Sequence, residues 1–74
     1  MILRSIRFAL PSSEFARLKV FDLLGREIAR LAEGQFEAGL HEVQFNAHQL
    51  SSGTYFYSLE AGAHREIKKM VLMK

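Results

Sequence analysis

Ala16-Arg17-Leu18-Lys19-Val20-Phe21-Asp22-Leu23-Leu24-Gly25-Arg26-Glu27-Ile28-Ala29-Arg30-Leu31 admits two readings, and the choice between them decides the fold. Taken with Phe15, the positions Leu18, Phe21, Leu24, Ile28 and Leu31 recur at spacings of three and four, which is the stripe of an amphipathic helix. Taken in twos, Ala16, Leu18 and Val20 alternate with Arg17, Lys19 and Phe21, which is the pattern of a half-buried strand. Gly25 would stand in the middle of the helix, where glycine costs about 1 kcal/mol. In a Leu23-Leu24-Gly25-Arg26 turn it is well placed, because it can take positive φ. Two strands, 17–21 and 27–31, therefore agree with this glycine, and they agree with the rest of the chain.

Upstream, Ile6, Phe8 and Leu10 alternate with Arg7 and Ala9, and Pro11-Ser12-Ser13 ends the run. Proline has no backbone donor and belongs at a strand end or an edge. Downstream, Glu33-Gly34-Gln35-Phe36-Glu37-Ala38-Gly39 carries two glycines and no clear period, which predicts a loop. From Leu40 to Asn46 the alternation is strict, and the more apolar set, His41, Val43 and Phe45, is expected inside. Asn46-Ala47-His48-Gln49 breaks this strand, Leu50 is expected to plug the core, and Ser51-Ser52-Gly53 is turn chemistry. After Gly53, the residues Tyr55, Tyr57, Leu59 and Ala61 share one face. A short Ala61-Gly62-Ala63-His64 connection leads into a last strand at about 65–73. Short strands without a firm helix predict an all-β fold, an antiparallel β-sandwich of about six to seven strands.

Size and composition narrow the function classes. The chain has 74 residues, enough for one domain (1–74) with one core. A domain this small buries only about 60% of its unfolded surface and usually needs a staple or a partner surface. With no cysteine, disulfides and thiolate metal sites are excluded. Ten basic and eight acidic residues are mixed along the chain, without the clustered basic face that nucleic acid binding needs. No segment approaches the roughly 20 apolar residues of a membrane-spanning helix. Met1-Ile2-Leu3-Arg4 is too short in its apolar part for a signal peptide, so if the protein acts outside the cytoplasm its export signal is expected elsewhere, as on a larger parent chain.

The residue types of catalysis are present without a constellation. Asp22 is the only aspartate, and His41, His48 and His64 match no common zinc spacing. His41 and Glu42 point to opposite faces of their strand. Ser12, Ser13, Ser51 and Ser52 lie in turns, where backbone hydrogen bonding explains them better than nucleophilic chemistry. The glycines are scattered singly and form no phosphate loop. The expectation is no enzyme, no metal and no cofactor. Tyr55 and Tyr57 read as core residues with hydroxyls at the rim. Phe56 faces the other way and is the candidate interface aromatic.

The C-terminal run, Ile67-Lys68-Lys69-Met70-Val71-Leu72-Met73-Lys74, ends the chain on a strand-like segment. Chain ends are usually disordered unless a sheet holds them. The expectation is an end that is structural, an address, or both. Lys68 and Lys69 also suit the protection of an exposed strand edge. Apolar edges on so small a sandwich further predict possible self-association, in a homo-oligomer joined through strand edges or an apolar patch.

Five segments, in this order, carry a resemblance. They are Ile6-Arg7-Phe8-Ala9-Leu10-Pro11; Leu18 through Ile28, with Asp22 and Gly25-Arg26 at its turn; Gly39 through Ala47; Leu50-Ser51-Ser52-Gly53-Thr54-Tyr55-Phe56-Tyr57; and Lys68 through Lys74. The chain resembles the type A C-terminal sorting domain of proteins exported by the type IX (Por) secretion system, and is similar to the related immunoglobulin-like modules of FlgD. The resemblance implies an immunoglobulin-like sandwich with no catalytic activity and no cofactor, joined behind a cargo domain and read by outer-membrane secretion machinery. It also implies that the parent protein is secreted or held at the cell surface, reached through the periplasm. The family's terminal strand and basic end, carried onto this chain, point to Gly53, Tyr55, Lys68, Lys69 and Lys74, and the rest of the closing strand adds Met70, Val71 and Leu72. Residues 1–4 stand where the family usually has an Asn-Pro-rich approach, and they read as the end of a linker. The alternative function is an immunoglobulin-like spacer or carbohydrate-binding accessory module of a secreted enzyme.

Overall fold

The computed structural model describes residues 3–48 and 50–73. The expectations placed on Met1, Ile2, Gln49 and Lys74 lie outside the described residues. Six strands follow one another: β1 (Leu3–Leu10), β2 (Glu14–Phe21), β3 (Glu27–Phe36), β4 (Gly39–Asn46), β5 (Gly53–Ala61) and β6 (His64–Leu72). They form two antiparallel sheets, β1-β4 and β3-β2-β5-β6, the all-β sandwich that the alternation predicts.

The segment that could have been a helix is β2, a turn and the start of β3. Burial shows why the strand periodicity wins. Ala16, Leu18 and Val20 are 1%, 2% and 0% exposed, so the period of two collects three core residues on one face. The helical stripe would instead group Leu18 with Leu24 and Phe15, which stand in solvent. Asp22 organises the turn. Its Oδ1 accepts from the backbone N–H of Leu24 (2.9 Å) and of Arg26 (3.0 Å), and its Oδ2 accepts from Arg26 Nε (2.8 Å). The Gly25 N–H donates to the Asp22 carbonyl, and Gly25 takes φ 81°, a conformation that glycine adopts without a Cβ penalty. The Asp22 hydrogen bonds hold the two outer leucines, Leu23 and Leu24, at the turn's tip.

One expectation needs correction. Residues 33–36 are not loop: β3 continues through them to Phe36. Their alternation is out of phase with that of residues 27–29, because the pairing of β2 with β3 shifts twice before them, between Leu18 and Lys19 and between Val20 and Phe21. Leu31 and Ile28 are the extra residues at these bulges, so ten residues of β3 face eight of β2. A bulge reverses which residues point inward, and a period of two cannot be read across it. Phe36 then packs beside Phe8 and His41, with ring centroids 5.7 and 5.1 Å away. Gly34 sits opposite Ala16, where the strand continues without a side chain.

Between the sheets, Ile6, Phe8 and Leu10 of β1 and Phe45 of β4 meet Leu18, Val20, Tyr55, Leu59 and Leu72. Leu50 is half-buried and packs on this cluster. The small sheet places β4 over the β3 side, through Phe36 and His41. It places β1 toward β6, where the Arg4 guanidinium donates to the Val71 carbonyl oxygen. At the β5–β6 connection, a Cβ on Gly62 (φ 59°) would lie 2.6 Å from Glu14 Oε1, so the hairpin packs tightly on the start of β2.

Candidate recognition surface

β6 is an edge of the four-stranded sheet and pairs with β5 from Gly53↔Leu72 to Ala61↔His64 without a register shift. Its alternation sends Leu72, Met70, Lys68 and Glu66 toward the sandwich interior and Val71, Lys69, Ile67 and Arg65 to the outer face. The residues named from the sequence therefore divide. Leu72 is 2% exposed, Tyr55 is buried, and Met70 is half-buried against the core. The Tyr55 hydroxyl donates to the Ser51 carbonyl oxygen at 2.8 Å, which ties the turn before β5 to the core. Gly53 begins β5 opposite Leu72. This group anchors β6. Lys68, Lys69 and Val71 are exposed and form the part that a partner could touch.

Neither lysine makes an ion pair among the described residues. The inward-facing Lys68 and Glu66 stand in solvent because the two-stranded sheet does not extend over this part of β6. On the outer face, Phe56 pairs with Phe21 across the β2–β5 ladder. With Leu23 and Ile67 these two phenylalanines line a shallow apolar depression flanked by Arg65 and Asp22. The depression was not legible from the sequence, since the Phe21–Phe56 register depends on where β5 begins. Ser58, on the same face, is fully buried between Lys19 and Ile67, and its hydroxyl has no hydrogen-bond partner.

The β3 side of the same face is a lattice of ion pairs. Arg17 Nε reaches Glu33 at 2.6 Å, Arg30 sits between Glu27 (3.3 Å) and Glu33 (3.4 Å), and Lys19 lies 3.8 Å from both Glu27 and Glu60. The hydrogen bond from Arg17 holds the Glu33 carboxyl below its ordinary pKa, and the bond to Glu27 raises that of Arg30. At the turn, the Arg26 backbone N–H is the main cause that lowers Asp22. Hydrogen bonds, not burial, set these shifts, and the carboxylates are structural.

No group of three or more His, Cys, Asp or Glu side chains is placed to hold a metal ion among the described residues. His41 stacks on Phe8 with centroids 5.3 Å apart, and its Nε2 lies 2.7 Å from the Glu37 carbonyl oxygen. His64 lies 3.4 Å from Glu66, on the exposed hairpin. Of these two, His41 is packed into the framework.

The arrangement is a short sandwich with an anchored, basic edge strand, and the match to a known family decides what kind of domain it is. The family described as the secretion system C-terminal sorting domain matches residues 4–73. The chain belongs to that family. No curated protein and no solved structure matches it. Membership makes the chain a C-terminal secretion signal for type IX export, of a non-catalytic kind. It implies a preceding cargo, contact with secretion machinery, and delivery to the cell surface or the medium.

Proposed function

We propose that this sorting domain directs the cargo joined to it through the type IX translocon to the cell surface, and that the machinery reads β6. The observation that carries this reading is the contrast between an anchored inner face and a free outer one on a single strand. Leu72 and Met70 fix β6 to the core, while the side chains of Lys69 and Val71 are exposed on an edge with no bulge. An edge strand offers its own N–H and C=O groups for strand addition, and its side chains supply the selectivity. Lys74, outside the described residues, is included in this reading as the basic residue of the closing run.

The test is a reporter fused ahead of the domain in a type IX-competent cell. Lys69→Glu with Val71→Glu changes only outward-facing positions. Surface delivery should fall by about tenfold or more, equivalent to at least about 1.4 kcal/mol of recognition, while the melting temperature of the isolated domain stays near that of the parent. Undiminished delivery from this folded variant would remove β6 as the address. The alternative role as a carbohydrate-binding module calls for flat rings presented to solvent. Tyr55 and Tyr57 instead face inward, and Phe56 is half-buried beside Phe21. Glycan binding by calorimetry that disappears in Phe56→Ala would restore that alternative.

A further inference from the structure

The outer edge of β6 pairs with no strand among the described residues, and the hairpin before it decides which backbone groups face that edge. Gly62-Ala63 is a two-residue turn with Gly62 at φ 59°, so the flanking Ala61 and His64 form a hydrogen-bonded pair. The register then alternates without a break, and Glu66, Lys68, Met70 and Leu72 also bond to β5. That leaves the N–H and C=O groups of Arg65, Ile67, Lys69 and Val71 facing the open edge. Arg4 takes the Val71 carbonyl oxygen, and no other backbone bond reaches this edge among the described residues. The same four residues carry the exposed side chains of the outer face, in the order basic, apolar, basic, apolar. Arg65 and Lys69 make no ion pair among the described residues. Glu60, opposite Arg65 in the β5 ladder, lies 3.8 Å from Lys19, and Asp22 is held by Arg26 at 2.8 Å.

We propose that the β6 edge takes one extended segment of a partner protein, acidic opposite Arg65 and Lys69 and apolar opposite Ile67. This rests on the reading of β6 as the strand that the secretion machinery contacts, and it supplies the chemistry of the contacting segment. Strand addition uses the free N–H and C=O groups of residues 65–69 and stops at Val71, whose carbonyl Arg4 already holds. Residues directly opposite each other on one face of a ladder interact, and opposite charges there are favourable. A carboxylate in either outer position meets an unmatched cation. An apolar side chain between them extends the depression that Ile67 lines with Phe21 and Phe56. No edge of a second copy supplies this pattern. Its β6 has no acidic residue on the outer face, and the register that matches Glu66 with Lys68 sets Arg65 against Lys69 twice. Its β3 is bulged, and its Glu27 and Glu33 are held by arginines. Its β1 and β4 carry one carboxylate, Glu42, which lies 2.9 Å from Arg7.

The probe is a capped heptapeptide, Thr-Glu-Thr-Val-Thr-Glu-Thr, added at millimolar concentration to the whole chain and followed by amide exchange resolved by residue. Exchange at the edge-facing amides of Ile67 and Lys69 should slow by about tenfold or more, while Glu66 and Lys68, already bonded to β5, and the amides of β1 and β3 change little. The affinity should fall by at least about fivefold in Arg65→Gln with Lys69→Gln, and more in higher salt. In Arg65→Glu with Lys69→Glu the preference should pass to the counterpart peptide with Lys in place of Glu. No slowing at Ile67 and Lys69 would overturn the proposal, as would slowing confined to β1 or equal binding of the lysine peptide by the parent chain. Sedimentation that shows the chain alone as a dimer, with these amides already protected, would overturn it and assign the edge to a second copy. Peptide binding beside undiminished surface delivery from the β6 variants would fail the sorting reading and uphold the edge chemistry. Lost delivery without peptide binding would fail this proposal and leave the sorting reading standing.

Discussion

β3 and β6 are the two edges of one sheet, and they solve the same physical problem in opposite ways. An edge strand exposes unpaired backbone groups, and proteins restrain such edges with bulges, charges or covers. β3 is restrained twice over, by two bulges and by Arg30 held between Glu27 and Glu33. β6 keeps an unbroken register over its whole pairing with β5, and among the described residues its outer face carries the unpaired Lys69 while Arg4 bonds its Val71 carbonyl near one end. Bulges and satisfied ion pairs turn away every incoming strand. Unpaired lysines turn away a basic strand and leave an acidic or neutral one free to approach. The difference marks β3 as the closed side of the molecule and β6 as the side open to selective contact.

The largest test of this comparison separates the anchored face of β6 from its exposed face. Leu72→Ala should cost about 2–5 kcal/mol, the range for emptying a buried leucine site, and should lower the denaturant midpoint sharply. Val71→Ala, next to it on the outer face, should change the midpoint by no more than about 0.5 kcal/mol. Equal losses at the two positions would mean that β6 has no free face. Simple deletion of 70–74 cannot make this distinction, because it removes the anchored and the exposed residues together.

A smaller effect is expected at the turn that leads into the closed side. Gly25→Ala forces a Cβ into φ 81°, which costs roughly 1–2 kcal/mol, and nothing else nearby obstructs it. The loss should appear in thermal melting, with hydrogen exchange accelerating first around the β2–β3 turn and not along β6. Smaller again is Ser58→Ala. The Ser58 hydroxyl is buried without a partner, so its removal should be neutral or stabilising by up to about 1 kcal/mol. A clear destabilisation would mean that Ser58 holds a hydrogen bond that maintains the Lys19–Ile67 packing.

These expectations rest on features of unequal visibility in the sequence. The inward faces of β1, β2, β4 and β5 were readable because one regular period runs through each, as in Ile6-Arg7-Phe8-Ala9-Leu10. β3 was readable only in its first half. Beyond the bulges at Ile28 and Leu31 the inward set is Ala32, Gly34 and Phe36, out of phase with Ala29 and with no side chain at its centre, so Phe36 gave no strand signal. The candidate recognition residues were legible as a group, through the basic and apolar closing run, but not in their division. That Leu72 anchors while Lys69 is free follows from the register Gly53↔Leu72, which no local pattern specifies.

The subtlest test uses acid. Asp22 and Glu33 both have carboxyl pKa values held below the ordinary range, Asp22 chiefly by the Arg26 backbone N–H and Glu33 chiefly by the Arg17 side chain. A depressed carboxyl pKa gives stability that is fully present above the unfolded value and is lost as pH falls through the folded one. The unfolded values are about 3.9 for aspartate and about 4.3 for glutamate, so the loss begins near these and grows below them. Both groups belong to the β2–β3 side. Lowering the pH from about 5 to about 2 should therefore loosen the β2–β3 turn and the outer face of β3 before β6, as amide exchange resolved by residue would show. The effect is modest, because these groups are solvent-exposed and salt-screened, and it should shrink in Arg17→Ala, which removes the main partner of Glu33. If β6 opened first in acid, the edge that the ion pairs protect would be the firmer one at every pH, and the stability of β3 would have to come from its bulged pairing with β2 instead of its charges.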